Sequence, residues 1–120
     1  MKSYANLEQS KILSKILPHE SADMWYWEFP TAPTYNNYGY PMFHKGEGIR
    51  NVPCWSLAAL LGILHDYTLQ TNTDGTVFVV CESKKPMISD AYDNPVDACY
   101  EMILKLKELN LFYCDYEKRK

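Results

Sequence analysis

Tyr67-Thr68-Leu69-Gln70-Thr71-Asn72-Thr73-Asp74-Gly75-Thr76-Val77-Phe78-Val79-Val80-Cys81-Glu82-Ser83 is the stretch on which the fold turns. Its two arms, Tyr67–Thr71 and Thr76–Ser83, are rich in the β-branched and aromatic residues that suit a pleated surface. Between them Asn72-Thr73-Asp74-Gly75 is a turn sequence with glycine where a positive φ is needed, so an antiparallel hairpin is predicted. In the second arm Val77, Val79 and Cys81 alternate with Phe78, Val80 and Glu82. Both faces are apolar near its middle, which marks a central strand.

Helices flank the hairpin. Before it, Pro53 opens a helix over roughly Cys54–His65 in which Trp55, Leu57, Ala58, Leu60, Leu61, Ile63 and Leu64 leave almost no polar face; such a helix is expected to be buried all round. After it, Met87–Asp90 reads as a short edge strand, and Asn94-Pro95 as an N-cap with proline at the first helical position. Val96, Cys99, Met102, Ile103, Leu106 and Leu109 form the buried stripe of this last helix, while Asp97, Glu101, Lys105 and Glu108 face water. Tyr100 and Leu104 fall among the polar positions, Asn110 supplies a left-handed cap, and Leu111–Tyr116 is a final strand or docked tail.

At the other end, Asn6 and Gln9 are spaced as a capping pair, and Ile12, Leu13, Ile16 and Leu17 share one face of a helix opposite Glu8, Lys11, Ser14 and Lys15. Pro18 ends it. Met24–Phe29 is an aromatic first strand. From Pro30 to Asn51 the chain is punctuated by Pro30, Pro33, Pro41, Gly39, Gly46 and Gly48 among Tyr35, Tyr38, Tyr40 and Phe43, with a strand expected near Tyr38–His44 returning against the first. The order α-β-(β)-α-β-β-(β)-α predicts an α+β fold, an antiparallel sheet of about four strands with three helices. At 120 residues and 47% hydrophobic it is expected to be one domain over 1–120 with a basic, frayed tail at Lys118–Lys120.

The formal charge is −3, and without that tail the body carries 9 basic against 15 acidic side chains. Such a body repels a polyanion, and only Lys84–Lys85 and the tail approach a basic cluster, so no nucleic-acid partner is expected. Cys54, Cys81, Cys99 and Cys114 are widely spaced without C-x-x-C or Cys/His ligand spacing, and no metal site is predicted. Met1-Lys2-Ser3-Tyr4 runs into a polar helix without an apolar signal core; the expectation is a cytoplasmic protein with reduced, mostly buried thiols. The apolar run Leu57–Leu64 is too short to span a membrane.

Three segments, Glu20-Ser21-Ala22-Asp23-Met24, Pro53-Cys54-Trp55-Ser56-Leu57-Ala58-Ala59-Leu60-Leu61 and Asp93-Asn94-Pro95-Val96-Asp97-Ala98-Cys99-Tyr100-Glu101-Met102-Ile103, resemble a group of small hypothetical proteins of prophages and mobile elements of gut bacteria. The resemblance runs from about Leu7 to Leu111. It implies a small intracellular protein of phage origin and carries over no catalytic residue.

Cys54-Trp55 at a helix start resembles the nucleophile position of papain-like enzymes, because a helix N-terminus lowers a thiol pKa and offers donors to an oxyanion. The base is the difficulty. His65 lies eleven residues on, about 16 Å along a helix axis, and His19 and His44 both precede the cysteine. A permuted pair of Cys54 as nucleophile and His44 as base is the surviving enzymatic alternative; the competing reading is a buried small hydrophobe. His19-Glu20-x-x-Asp23 could be drawn as half a metal site, but Pro18 breaks the helical spacing, so a solvent-facing turn is expected. His65-Asp66 reads as the polar end of the second helix. There is no glycine-rich phosphate loop, no G-x-S-x-G and no dinucleotide fingerprint, and no cofactor is expected.

The remaining excess is aromatic, 14% of residues. Concentrated between Trp25 and Phe43, these rings either fill the core or form a recognition surface of Trp25, Trp27, Tyr35, Tyr38, Tyr40 and Phe43. The sequence therefore predicts a non-enzymatic module whose partner is another protein or a second copy of itself, the acidic body favouring protein over a glycan or a single-stranded nucleic acid.

Overall fold

The computed structural model describes residues 3–28, 41–47, 50–64, 67–81 and 87–108. Tyr35, Tyr38, Tyr40, the His65-Asp66 pair, Lys84–Lys85, and everything after Glu108, including the Asn110 cap, the strand at Leu111–Tyr116, Cys114 and the tail, lie outside the described residues.

The elements are α1 (Leu7–Leu13), β1 (Met24–Glu28), β2 (Arg50–Cys54), α2 (Leu57–Ile63), β3 (Tyr67–Thr71), β4 (Val77–Cys81), β5 (Met87–Ile88) and α3 (Pro95–Glu108), an α+β arrangement in the predicted order. The strands form two antiparallel sheets, β1-β2 and β3-β4-β5. β4 is the central strand, with Val77 and Val79 buried on one face and Phe78 and Val80 half-buried on the other. The hairpin closes on Gly75 at φ +92°, while the Asp74 carboxylate accepts from the backbone N–H of Thr76 (2.9 Å) and from its hydroxyl (2.6 Å).

Asn6 and Gln9 make the full capping box of α1: Oδ1 of Asn6 accepts from the Gln9 N–H at 2.8 Å, and Oε1 of Gln9 accepts from the Asn6 N–H at 3.0 Å. On the apolar side of that segment Leu13 and Leu17 are buried and Ile16 half-buried, but Ile12 is exposed. In α3, Val96, Cys99, Met102, Ile103 and Leu106 are buried as the periodicity predicts. Tyr100 departs from expectation, being buried. At the start of α3, Nε2 of Gln9 in α1 donates to Oδ1 of Asp97 at 2.9 Å, and Asp97 is half-buried rather than fully in water.

β1 is paired along one edge by β2; of the returning strand expected near Tyr38–His44, residues 38–40 lie outside the described residues and Met42 makes an antiparallel bridge to Trp25. Two other expectations are corrected. The second helix begins at Leu57 rather than Cys54. Pro53 and Cys54 belong to β2, where Pro53 pairs with Trp25. Trp25 turns its own backbone N–H and C=O away, toward Met42, so Pro53 occupies a non-hydrogen-bonded site and its missing donor falls on the outer edge. Ser56 is the true N-cap of α2, accepting from the Ala59 N–H at 3.2 Å. Nor is α2 buried all round: Leu60 and Ile63 are covered, whereas Ala58 and Gly62 are exposed.

The larger core is shared by α1, α2, α3 and strands β3 and β4, with Trp55 fully buried and its indole N–H donating to Oγ of Ser21 at 2.9 Å. The smaller core, Met24, Tyr26, Val52 and Cys54, lies on the inner face of the β1-β2 sheet.

Candidate functional site

The pleat of the two-stranded sheet sorts its side chains. Met24 and Tyr26 pair with Cys54 and Val52 on the inner face, so Trp25 and Trp27, paired with Pro53 and Asn51, occupy the outer one. Both tryptophans are half-buried.

The segment 41–47 runs beside this outer face and is fastened at three points. Met42 exchanges backbone hydrogen bonds with Trp25 at 2.7 and 2.8 Å. The Trp27 indole N–H donates to the His44 carbonyl at 2.9 Å, and the two rings meet edge to face at 5.2 Å between centroids. The side-chain amide of Asn51 clasps Gly46, accepting from its N–H at 2.8 Å and donating to its C=O at 3.0 Å. Lys45 then lies with its ammonium 5.8 Å from the Trp25 ring centroid. Phe43 is left 76% exposed.

Beside Trp25 a hollow of about 500 Å³ is lined by His19, Glu20, Ala22, Lys45, Asn51 and Pro53 as well as the indole. A second hollow, of about 400 Å³, shares His19, Asn51 and Pro53 with it and continues past Arg50 to Lys11, Ser14 and Lys15 at the end of α1. His19 is held there by a hydrogen bond between Nε2 and the Ser14 carbonyl, 3.1 Å.

Of the six aromatic residues singled out in the sequence, Trp25 and Trp27 share the outer face, Phe43 is exposed on the segment fastened beside it, and Tyr35, Tyr38 and Tyr40 lie outside the described residues. Lys45, Asn51 and His19 are additions from the structure. Lys45 was signalled only by its adjacency to the aromatic run.

Cys54 and His44 are not brought together. His44 is exposed and packs on Trp27, on the outer face, whereas Cys54 is fully buried on the inner face. Cys54 donates through Sγ to the Ala5 carbonyl at 3.4 Å, and burial pushes its thiol up from 9.0 to about 11. It terminates a strand, so the helix-terminus activation read from the sequence does not act on it. In the His19-Glu20-x-x-Asp23 motif, Asp23 is committed to α2, with Oδ1 accepting from the Ser56 N–H at 2.9 Å and Oδ2 from the Ser56 hydroxyl. Among the described residues no cluster of three metal-ligating side chains occurs, and no helix is long and apolar enough to cross a membrane.

No family model, curated protein or solved structure matches the chain.

Proposed function

We propose that the protein is a non-enzymatic interaction module, working inside the cell, that binds another protein through the outer face of the β1-β2 sheet. The observation that carries this reading is Phe43: a 76% exposed aromatic ring on a segment fastened at Met42, His44 and Gly46. An aromatic anchor held in place before binding loses little conformational freedom on association. A phage or mobile-element origin is supported by the three sequence segments quoted above. The test is site-specific photocrosslinking in cells of the source organism. A benzophenone at position 43 should give discrete protein adducts, and one at the hairpin tip, Thr73, should not. Equal adducts at both positions, or none at either, overturn the reading.

One observation favours self-association as a second reading. Among the described residues β3 is an edge strand, and its residues Tyr67-Thr68-Leu69-Gln70-Thr71 carry neither charge nor proline, in contrast to the edge of β2 blunted by Pro53. Such an edge is a template for pairing with a second copy. Sedimentation analysis should then give a dimer for the native chain and a monomer for Leu69→Lys; a native monomer at about 100 μM rules it out.

A further inference from the structure

We infer that the partner segment seated in the two adjoining hollows, from Trp25 to the end of α1, is acidic, a short stretch of Asp and Glu around one apolar residue. This inference rests on the interaction reading above.

Charge segregation carries it. The whole chain has 15 acidic against 12 basic side chains, so an average patch of its surface is negative. The cations gather in the second of the two adjoining hollows: Lys11, Lys15 and Arg50 line it with no carboxylate among its described lining residues, while in the first Lys45 faces Glu20. All four cations are exposed, and they come from three separate segments, α1 and the turn after it, the fastened loop and β2. A third hollow, beside α3, has the opposite character, with Asp90, Glu101 and Glu108 around Lys105. Among the described residues these hollows thus differ in the sign of their charge.

The aromatic component adjoins the basic one. Trp25 lies between Pro53, its cross-strand partner, and Lys45, whose ammonium approaches the ring. An apolar side chain of the incoming segment meets the indole and proline, and its flanking carboxylates meet the cations. Complementary charge of this exposed kind speeds encounter and selects the partner more than it deepens affinity. A nucleic acid, the other polyanion such a patch could attract, must also approach a body that is negative elsewhere, and a short acidic peptide meets that field over a smaller area.

The experiment uses the full chain and a fluorescein-labelled peptide of six glutamates flanking one leucine, with the lysine counterpart and a short oligothymidylate as the other arms. The glutamate peptide should bind saturably by anisotropy, weaken at least about tenfold between roughly 0.05 and 0.5 M salt, and leave the lysine peptide unbound. The triple reversal Lys15→Glu, Lys45→Glu, Arg50→Glu should exchange the preference, binding the lysine peptide instead. The single Lys45→Glu variant, with a melting curve for each protein, provides the readout should the triple variant fail to fold, and it should weaken the glutamate peptide several-fold. Equal binding of the two peptides, binding of neither, or tighter binding of the oligothymidylate overturns the acidic assignment. If crosslinks at position 43 persist alongside such a result, the charge inference alone fails; if they are absent too, the interaction reading fails with it.

Discussion

Tyr26 and Cys54, on neighbouring strands, donate to the same acceptor: the Ala5 carbonyl receives the phenol O–H at 2.9 Å and the thiol S–H at 3.4 Å. Ala5 is itself fully buried, and its N–H donates to the Trp55 carbonyl at 2.9 Å, so the N-terminal segment is sewn to the inner face of the β1-β2 sheet before α1 begins.

A carbonyl with two donors tolerates the loss of either better than the loss of both. Tyr26→Phe is expected to cost about 1 kcal/mol, since the thiol still reaches the oxygen. Cys54→Ala should likewise cost on the order of 1–2 kcal/mol from the lost hydrogen bond and packing. Together they leave the buried oxygen without either donor, and urea denaturation of the four proteins should give a double-variant loss at least about 1 kcal/mol above the sum. Simple additivity would show that the shared acceptor is not what couples the two side chains.

The buried thiols make the fold sensitive to alkali. Burial raises Cys54 from 9.0 to about 11 and Cys99 from 9.0 to about 12, because the interior disfavours the thiolate. Below pH 9 the thiol is neutral in folded and unfolded chains alike, and the stability it contributes is fully present. Above pH 9 only the unfolded chain ionises, so stability falls as pH rises through the window from 9 to about 11 or 12. By pH 10 the loss is about 1.4 kcal/mol per thiol. The urea midpoint should therefore drop between pH 8 and pH 10 by less in Cys99→Ala than in the native chain. Neither cysteine should react with iodoacetamide at neutral pH; rapid, selective alkylation of Cys54 would revive the hydrolase alternative.

The elements that could be read from sequence are those whose local signals agree. In α1 the capping box and in α3 the Asn94-Pro95 start coincide with the apolar stripe, and the Asp74-Gly75 turn coincides with two β-forming arms. The start of α2 misleads because Pro53 suits either a first helical turn or a strand edge, and only its pairing with Trp25, 28 positions earlier, decides. Ser56, the actual N-cap, was the local signal for the correct boundary. The site divides in the same way. Trp25, Trp27 and Phe43 stand out by composition, whereas His19, Lys45 and Asn51 are ordinary residues assembled by the long-range pairing of β2 with β1.

The hairpin turn isolates a backbone effect. Gly75 has φ +92°, and a Cβ placed there meets nothing within 4 Å. Gly75→Ala therefore strains the backbone without a steric clash, and should destabilise by roughly 1–2 kcal/mol. Gly75→Asn should lose less, because asparagine tolerates left-handed conformations better than other side chains. Equal melting temperatures for Gly75→Ala and the native chain would mean that the turn relaxes to another type.

The register of α3 is tested by two adjacent residues. Leu106 is 2% exposed in the core shared with α2 and the larger sheet, while Lys105 is exposed and its ammonium reaches the Ile88 carbonyl at only 3.5 Å. Leu106→Ala removes buried methyl groups and leaves a cavity that the surrounding helices fill only in part, so it should cost about 2–5 kcal/mol. Lys105→Ala gives up a long, solvent-screened contact and lies within about 0.5 kcal/mol of neutral. In a helix a shift of one residue turns each side chain through about 100°, which would bring Lys105 inward and Leu106 toward the exposed side. Thermal melts that rank the two variants in the opposite order, or that cannot separate them, would place the buried stripe of α3 elsewhere than on Val96, Cys99, Met102, Ile103 and Leu106.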